Sequence, residues 1–179
     1  MSIKRKYILT ALIGLCIVSC IRLNENGYNQ LSSSQKERVV ESMLPIDSLP
    51  SDGKVYLVSV DQMKDYIRNH QKVIIYEYGA YCHSENCLSP QSAEDISHFK
   101  GYDFCLLLDS FSHFLEFPMT ISPVLAPNPK SFGLKQGQSC IELMINELTE
   151  NQLGKNDYGR FYVFKDGHYV GSINNIKEI

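Results

Sequence analysis

The apolar run Val73, Ile74, Ile75, Tyr76, Glu77 and Tyr78 leads into a stretch that carries Cys82 and Cys87, and that stretch ends at Ser89 and Pro90. A run dense in β-branched and aromatic residues reads as a strand, and serine followed by proline is a common opening of a helix. Two thiols are therefore placed in a strand-to-helix connection. A thiol just ahead of a helix N-terminus meets unpaired N–H groups and the positive end of the helix dipole, which favours thiolate, the form that reacts and binds metals. The connection is a candidate for redox chemistry, metal binding or a structural cross-link.

The compartment decides how such a pair is read. Lys4, Arg5 and Lys6 make a basic start, and the apolar stretch Tyr7 to Val18, roughly twelve residues, has the length of a signal-peptide core and is too short to span a bilayer. There is no Ala-x-Ala pattern, and Cys16 follows the bulky Leu15. Ile17, Val18, Ser19 and Cys20 resemble the lipobox of bacterial lipoproteins. That resemblance implies a signal peptide over 1–19, lipidation of Cys20, and an extracytoplasmic domain anchored in the bacterial cell envelope. Two or more acyl chains give a stable hold without a spanning helix.

The chain has 179 residues, 44% of them hydrophobic, and the roughly 160 that follow Cys20 suffice for one core. Loss of Lys4, Arg5 and Lys6 with the signal takes the formal charge from -3 to about -6, so a nucleic-acid partner has no electrostatic support. The partners expected are other extracytoplasmic proteins and, through the anchor, the membrane. Of six cysteines, Cys16 leaves with the signal and Cys20 carries lipid; Cys82, Cys87, Cys105 and Cys140 remain, with three pairings open. The short connection favours Cys82 with Cys87. Cys105, inside the apolar run Phe104 to Leu108, reads as a buried small hydrophobe, and Ser139 with Glu142 forms a capping-box pattern that puts Cys140 in a helix's first turn.

Residues 20–34 are polar and aperiodic, which predicts a flexible tether. Ser34 and Glu37 form a capping box, and Val39, Val40, Met43 and Leu44 make one apolar face, which predicts an N-terminal helix over 35–44 stopped by Pro45. Lys54 to Val60 reads as a strand, followed by a helix capped by Asp61 with Met63, Tyr66, Ile67 and His70 on one face. His70 is expected as a packed residue or helix-end partner. The strand Val73 to Tyr78, the helix Pro90 to Phe99 and the strand Tyr102 to Asp109 come next, with His98 structural or exposed on that helix.

Ser110 to Gly137 contains Pro118, Pro123, Pro127 and Pro129 and reads as a long irregular insertion. Phe111, Phe114, Phe117 and Phe132 within it offer either an aromatic contact surface or satellite core. A helix from Cys140 to about Leu153, ended by Gly154, precedes a hairpin of Phe161 to Phe164 and His168 to Ile173 with Asp166 and Gly167 at the turn. No phosphate-binding glycine loop, His-Glu-x-x-His pattern or Gly-x-Ser-x-Gly elbow is present, and Asp109 and Glu116 read as strand-end and loop charges.

Strand, helix, strand, cysteine connection, helix, strand, helix and hairpin is an order that resembles the thioredoxin fold. Gly79, Ala80, Tyr81 and Cys82 stand where that family has Ala-x-Trp-Cys, and Phe161 to Gly171 resembles its terminal hairpin. The resemblance covers about residues 54 to 174 and implies an α/β, three-layer architecture, a central mixed sheet flanked by helices, within a domain over 35–179. It implies Cys82 as attacking thiolate and Cys87 as resolving thiol, with Glu77 and His83 as neighbours able to shift the proton affinity of Cys82. The chain departs from the pattern in three places. Four residues, His83 to Asn86, separate the cysteines instead of two; Gly159 and Arg160 stand where a cis-proline normally precedes the hairpin; and the usual last helix is absent, leaving the 35–44 helix to cover that face.

Three functions fit these residues. The first is membrane-tethered thiol-disulfide exchange through Cys82 and Cys87, with no cofactor. The second is a non-catalytic binding module stapled by the same disulfide. The third is copper or zinc handling by Cys82, His83, Cys87 and His113, soft ligands of the kind these metals take.

Overall fold

The computed structural model describes residues 25–79, 88–111, 122–153 and 159–179. A one-turn helix α1 (Ser33–Lys36) leads into strand β1 (Val39–Glu41), and β2 (Val55–Val58) is followed by helix α2 (Val60–Asn69). Strand β3 (Lys72–Tyr78), helix α3 (Pro90–Phe99), β4 (Asp103–Leu108) and β5 (Val124–Pro127) come next. Helix α4 (Ile141–Leu148) precedes the hairpin of β6 (Phe161–Lys165) and β7 (His168–Ile173). The protein is α/β: the seven strands form one mixed sheet in the order β1-β2-β5-β4-β3-β6-β7, with β1 to β5 parallel and β6 and β7 antiparallel.

Strand side chains alternate between faces, so the central strands feed two cores. Val73 and Ile75 of β3, Cys105 and Leu107 of β4 and Leu125 of β5 pack against Met63, Tyr66 and Ile67 of α2 and Met144, Ile145 and Leu148 of α4. Ile74, Tyr76, Phe104, Leu106 and Leu108 point the other way, toward Ala93 and Ile96 of α3 and the buried Ile176. Helices therefore cover both faces. This is why residues 73–76 of β3 and 104–108 of β4 read as continuous apolar stretches, as parallel strands buried on both sides do. Among the described residues no helix is long and apolar enough to cross a membrane.

Several expectations are corrected. Residues 35–44 are not a helix: only Ser33–Lys36 is helical, capped by Ser32 with Gln35, and Val39–Glu41 runs as an edge strand beside Val55–Leu57. Val39, Val40, Met43 and Leu44 do not share one buried face, since Met43 is 89% and Leu44 54% exposed. Residues 25–34 are not part of a flexible tether, because Glu25 bridges to Gln138 and Leu31 is buried; residues 20–24 of the expected tether lie outside the described residues. The 110–137 insertion holds β5, a strand between β2 and β4, and a 3-10 turn over Pro129–Phe132. Pro127 is tolerated in an internal strand because β4 pairs only with Val124 and Leu125, so its missing N–H takes no bond from that ladder.

Local caps differ in the same way. Ser59, not Asp61, caps α2 through a reciprocal box with Gln62. Cys140 itself is the N-cap of α4, without a side-chain cap bond, and that helix ends at Leu148 rather than near Leu153. Phe111 is core, Phe132 packs partly buried against the opposite cluster, and Phe114 and Phe117 lie outside the described residues.

Candidate functional site at the C-terminal end of β3

The end of β3 is held by three neighbours. On one side β4 runs parallel with Tyr78 opposite Leu108, and Asp109 N donates to Tyr78 O at 3.3 Å. On the other, β6 enters antiparallel with Phe161 opposite Tyr76, and Glu77 N donates to Arg160 O at 2.8 Å. Beneath, the ring of Tyr76 stacks on Phe161 with centroids 4.3 Å apart and planes 12° from parallel, while Tyr78 meets Tyr76 edge-on at 5.7 Å. Tyr76 also fixes the start of α3, because its hydroxyl donates to Leu88 O at 2.9 Å. Ser89 caps α3 by accepting from Ser92 N at 3.2 Å, and Pro90 fills the first helical position, where no N–H bond is forgone.

Glu77 shares this end with the charged residues Asp109 and Arg160. It faces the α2 and α4 side, and its Oε2 accepts from Tyr162 Oη at 2.8 Å. Tyr162 pairs with Ile75, two residues back on the same face, so the contact is a diagonal cross-strand pair. Burial pushes the Glu77 carboxyl above the usual carboxylate range, and the negative charges of Asp109 and Glu142 push it the same way. The Tyr162 hydroxyl and the Arg160 guanidinium act in the opposite direction but do not cancel the rise. The result is a carboxyl that keeps its proton to higher pH than an exposed one does.

Gly159 opens β6 at a place where no other residue fits without movement. A Cβ there would stand 2.7 Å from Ile173 O and 2.8 Å from Ile173 N, both backbone atoms of the adjoining β7. Arg160 N donates to that same Ile173 carbonyl at 3.1 Å. Among the described residues there is no cis peptide bond.

Glu77 and Gly159 are thus brought to one end of the sheet, linked through Arg160. Cys20, Cys82, His83, Cys87, His113 and Glu116 lie outside the described residues. Tyr162, Arg160 and Asp109 were not among the expected site residues. An inward Tyr162 could have been read from the alternation of β6, but its meeting with Glu77 depends on the β3–β6 register.

The two described thiols are unsuited to nucleophilic work. Cys105 is buried, and that burial raises its pKa strongly. Burial pushes Cys140 up to about 11, and its Sγ lies 3.8 Å from Pro127 O. Both stay protonated at neutral pH, and the thiol is the unreactive form. His70 is structural: its ring lies tilted against Tyr66 with centroids 4.1 Å apart, its Nδ1 is 2.8 Å from Tyr66 O, and its Nε2 lies 3.3 Å from Asp47. Among the described residues no group of three or more His, Cys, Asp or Glu side chains could hold a metal ion.

Comparison of the chain with family models, with curated proteins and with solved structures returns no match.

Proposed function

We propose that this protein is an envelope lipoprotein, anchored through Cys20, whose thioredoxin-like domain exchanges disulfides through Cys82 and Cys87. The observation that carries the reading is Glu77, a half-buried carboxyl with raised proton affinity, on the last turn of pleat before the segment that holds both cysteines. Thiol-disulfide exchange needs a thiolate to attack and a proton to be passed on, and a carboxyl that titrates above its ordinary range can hold and release one. The capped N-terminus of α3 favours negative charge where the same segment ends. Topology supports a thioredoxin-like fold: β2, α2, β3, α3, β4, α4 and the β6–β7 hairpin follow its order, with α2 and α4 on one face and α3 on the other. Strands β1 and β5 are additions to that pattern.

In the exchange, the Cys82 thiolate attacks one sulfur of a substrate disulfide, forming a mixed disulfide and releasing the other sulfur as a thiolate. Cys87 then attacks Cys82, giving the Cys82–Cys87 disulfide and a reduced substrate. One disulfide is broken and one is made, so electrons balance between protein and substrate.

A second reading is a binding module in which the same disulfide is a staple. Gly159 favours it, because the close approach of β7 leaves no room at that position for the proline ledge on which the family seats substrate backbone. The chain from residue 20 onward, carrying Cys20→Ser, separates the two. Stoichiometric reduction of a model peptide disulfide, abolished by Cys82→Ser, supports exchange. A reduction potential below about -300 mV with no turnover supports the staple. Copper or zinc retained through gel filtration and lost in Cys87→Ser would replace both by metal handling.

A further inference from the structure

Residues 25 to 31 dock beside the C-terminal ends of β3 and β4, the end at which Gly79 stands three residues ahead of Cys82 in the chain. Asn26 N donates to Gly137 O at 2.9 Å, and Asn26 O accepts from Phe111 N at 2.6 Å and from Ser110 Oγ at 3.2 Å. Tyr28 meets Phe111 edge-on with centroids 5.7 Å apart. Leu31 and Phe111 are buried in the cluster that includes Tyr78 and Leu88, which flank the cysteine segment in sequence. Phe111 lies three residues beyond Leu108, the partner of Tyr78.

From this placement we propose that the anchor holds the Cys82 and Cys87 end of the sheet toward the bilayer, so that the substrates are disulfides in polypeptide segments at the membrane surface. The proposal rests on the lipid anchor and the exchange activity proposed above. Its scale is set by two lengths. From Cys20 to Glu25 the chain spans at most about 18 Å when fully extended. A domain of this length has a radius of gyration of about 15 Å and so a diameter of about 40 Å. For the opposite end, with Lys72, Asp103 and Lys165, to face the membrane, Glu25 would have to stand about one diameter away, which the tether cannot reach. A spacer of about fifteen residues, spanning about 50 Å, would have allowed it.

The test uses the full lipoprotein in nanodiscs of phosphatidylethanolamine and phosphatidylglycerol, a fraction of the lipids bearing a paramagnetic head group. Amide signals of Asn26, Gly79, Ser110 and Phe111 are expected to broaden while those of Lys72, Asp103 and Lys165 stay sharp. Insertion of about twenty glycine and serine residues between Asn24 and Glu25 should erase the contrast. Uniform or reversed broadening with the native tether, on protein whose intact mass includes a lipidated Cys20, overturns the orientation alone. An intact mass without acyl chains overturns the anchor and the orientation with it. For the substrate class, fully reduced protein in the same nanodiscs is given one peptide disulfide, linked either directly to a lipid head group or to the end of a long polymer stalk. The head-group form should be reduced about tenfold faster in a single turnover, as effective concentration predicts. Equal rates overturn the membrane-proximal substrate class, and no reaction with either peptide overturns the exchange activity.

Discussion

Replacing Tyr162 by phenylalanine removes one hydroxyl and leaves a fully buried ring in place. That hydroxyl donates to Glu77 at 2.8 Å, and a hydrogen bond to an ionised group is worth about 1.5–3 kcal/mol, against about 0.5–1.5 kcal/mol for a neutral pair. The cost of Tyr162→Phe therefore depends on the charge of Glu77. Burial raises the folded-state pKa of Glu77 above its ordinary value of 4.5, so its ionisation opposes folding; that penalty is absent below the unfolded pKa and complete above the folded one. The Tyr162 donor offsets part of the penalty, and without it the folded pKa climbs further. Variant and wild type should differ least in acid, by about 1 kcal/mol or less. The gap should widen as pH rises through the wild-type and then the variant pKa, reaching about 2 kcal/mol, a fall in Tm of about 4–8 °C for a domain of this size. Urea unfolding across acid to neutral pH, with NMR titration of the Glu77 carboxyl carbon, measures both quantities. A penalty that is the same at every pH, or a Glu77 pKa that falls in the variant, refutes the reasoning.

Three other outcomes follow from the same geometry. Gly159→Ala forces its new methyl against the backbone of Ile173, so β6 and β7 must separate; we expect a loss of about 1–3 kcal/mol and faster amide exchange across the hairpin. Cys105 and Cys140 should resist a neutral alkylating reagent in the folded protein and react once urea unfolds it, as counted by intact mass; fast labelling of either in the native state would contradict their burial. Ser59→Ala should cost about 1 kcal/mol in urea unfolding by opening the box with Gln62, whereas Asp61→Ala should leave the cap bonds intact.

The elements that were legible in the chain are those whose signals are local. β3 and β4 announce themselves by the apolar stretches 73–76 and 104–108, α3 by Ser89 and Pro90, and the hairpin by Asp166 and Gly167, because burial on two faces, capping and a tight turn each demand particular residues at fixed spacing. β1 and β5 carry no such mark. Val39–Glu41 is three residues long and shares its apolar spacing with a helix, and Val124–Pro127 sits among prolines that argue for a loop. Each is a strand because β2, and for β5 also β4, offers a ladder to pair with.

The candidate site divides along the same line. Chain order alone puts Glu77 five residues ahead of Cys82 and ends the cysteine segment at a helix cap. That Glu77 meets a hydroxyl 85 residues away, that Asp109 and Arg160 bear on its charge, and that the N-terminal segment docks beside Tyr78 were decided only by how the strands pair and pack. The physical reason is range: caps, turns and periodicity act over a few residues, whereas a carboxyl's proton affinity and the docking place of an N-terminal segment depend on whichever distant groups folding places around them.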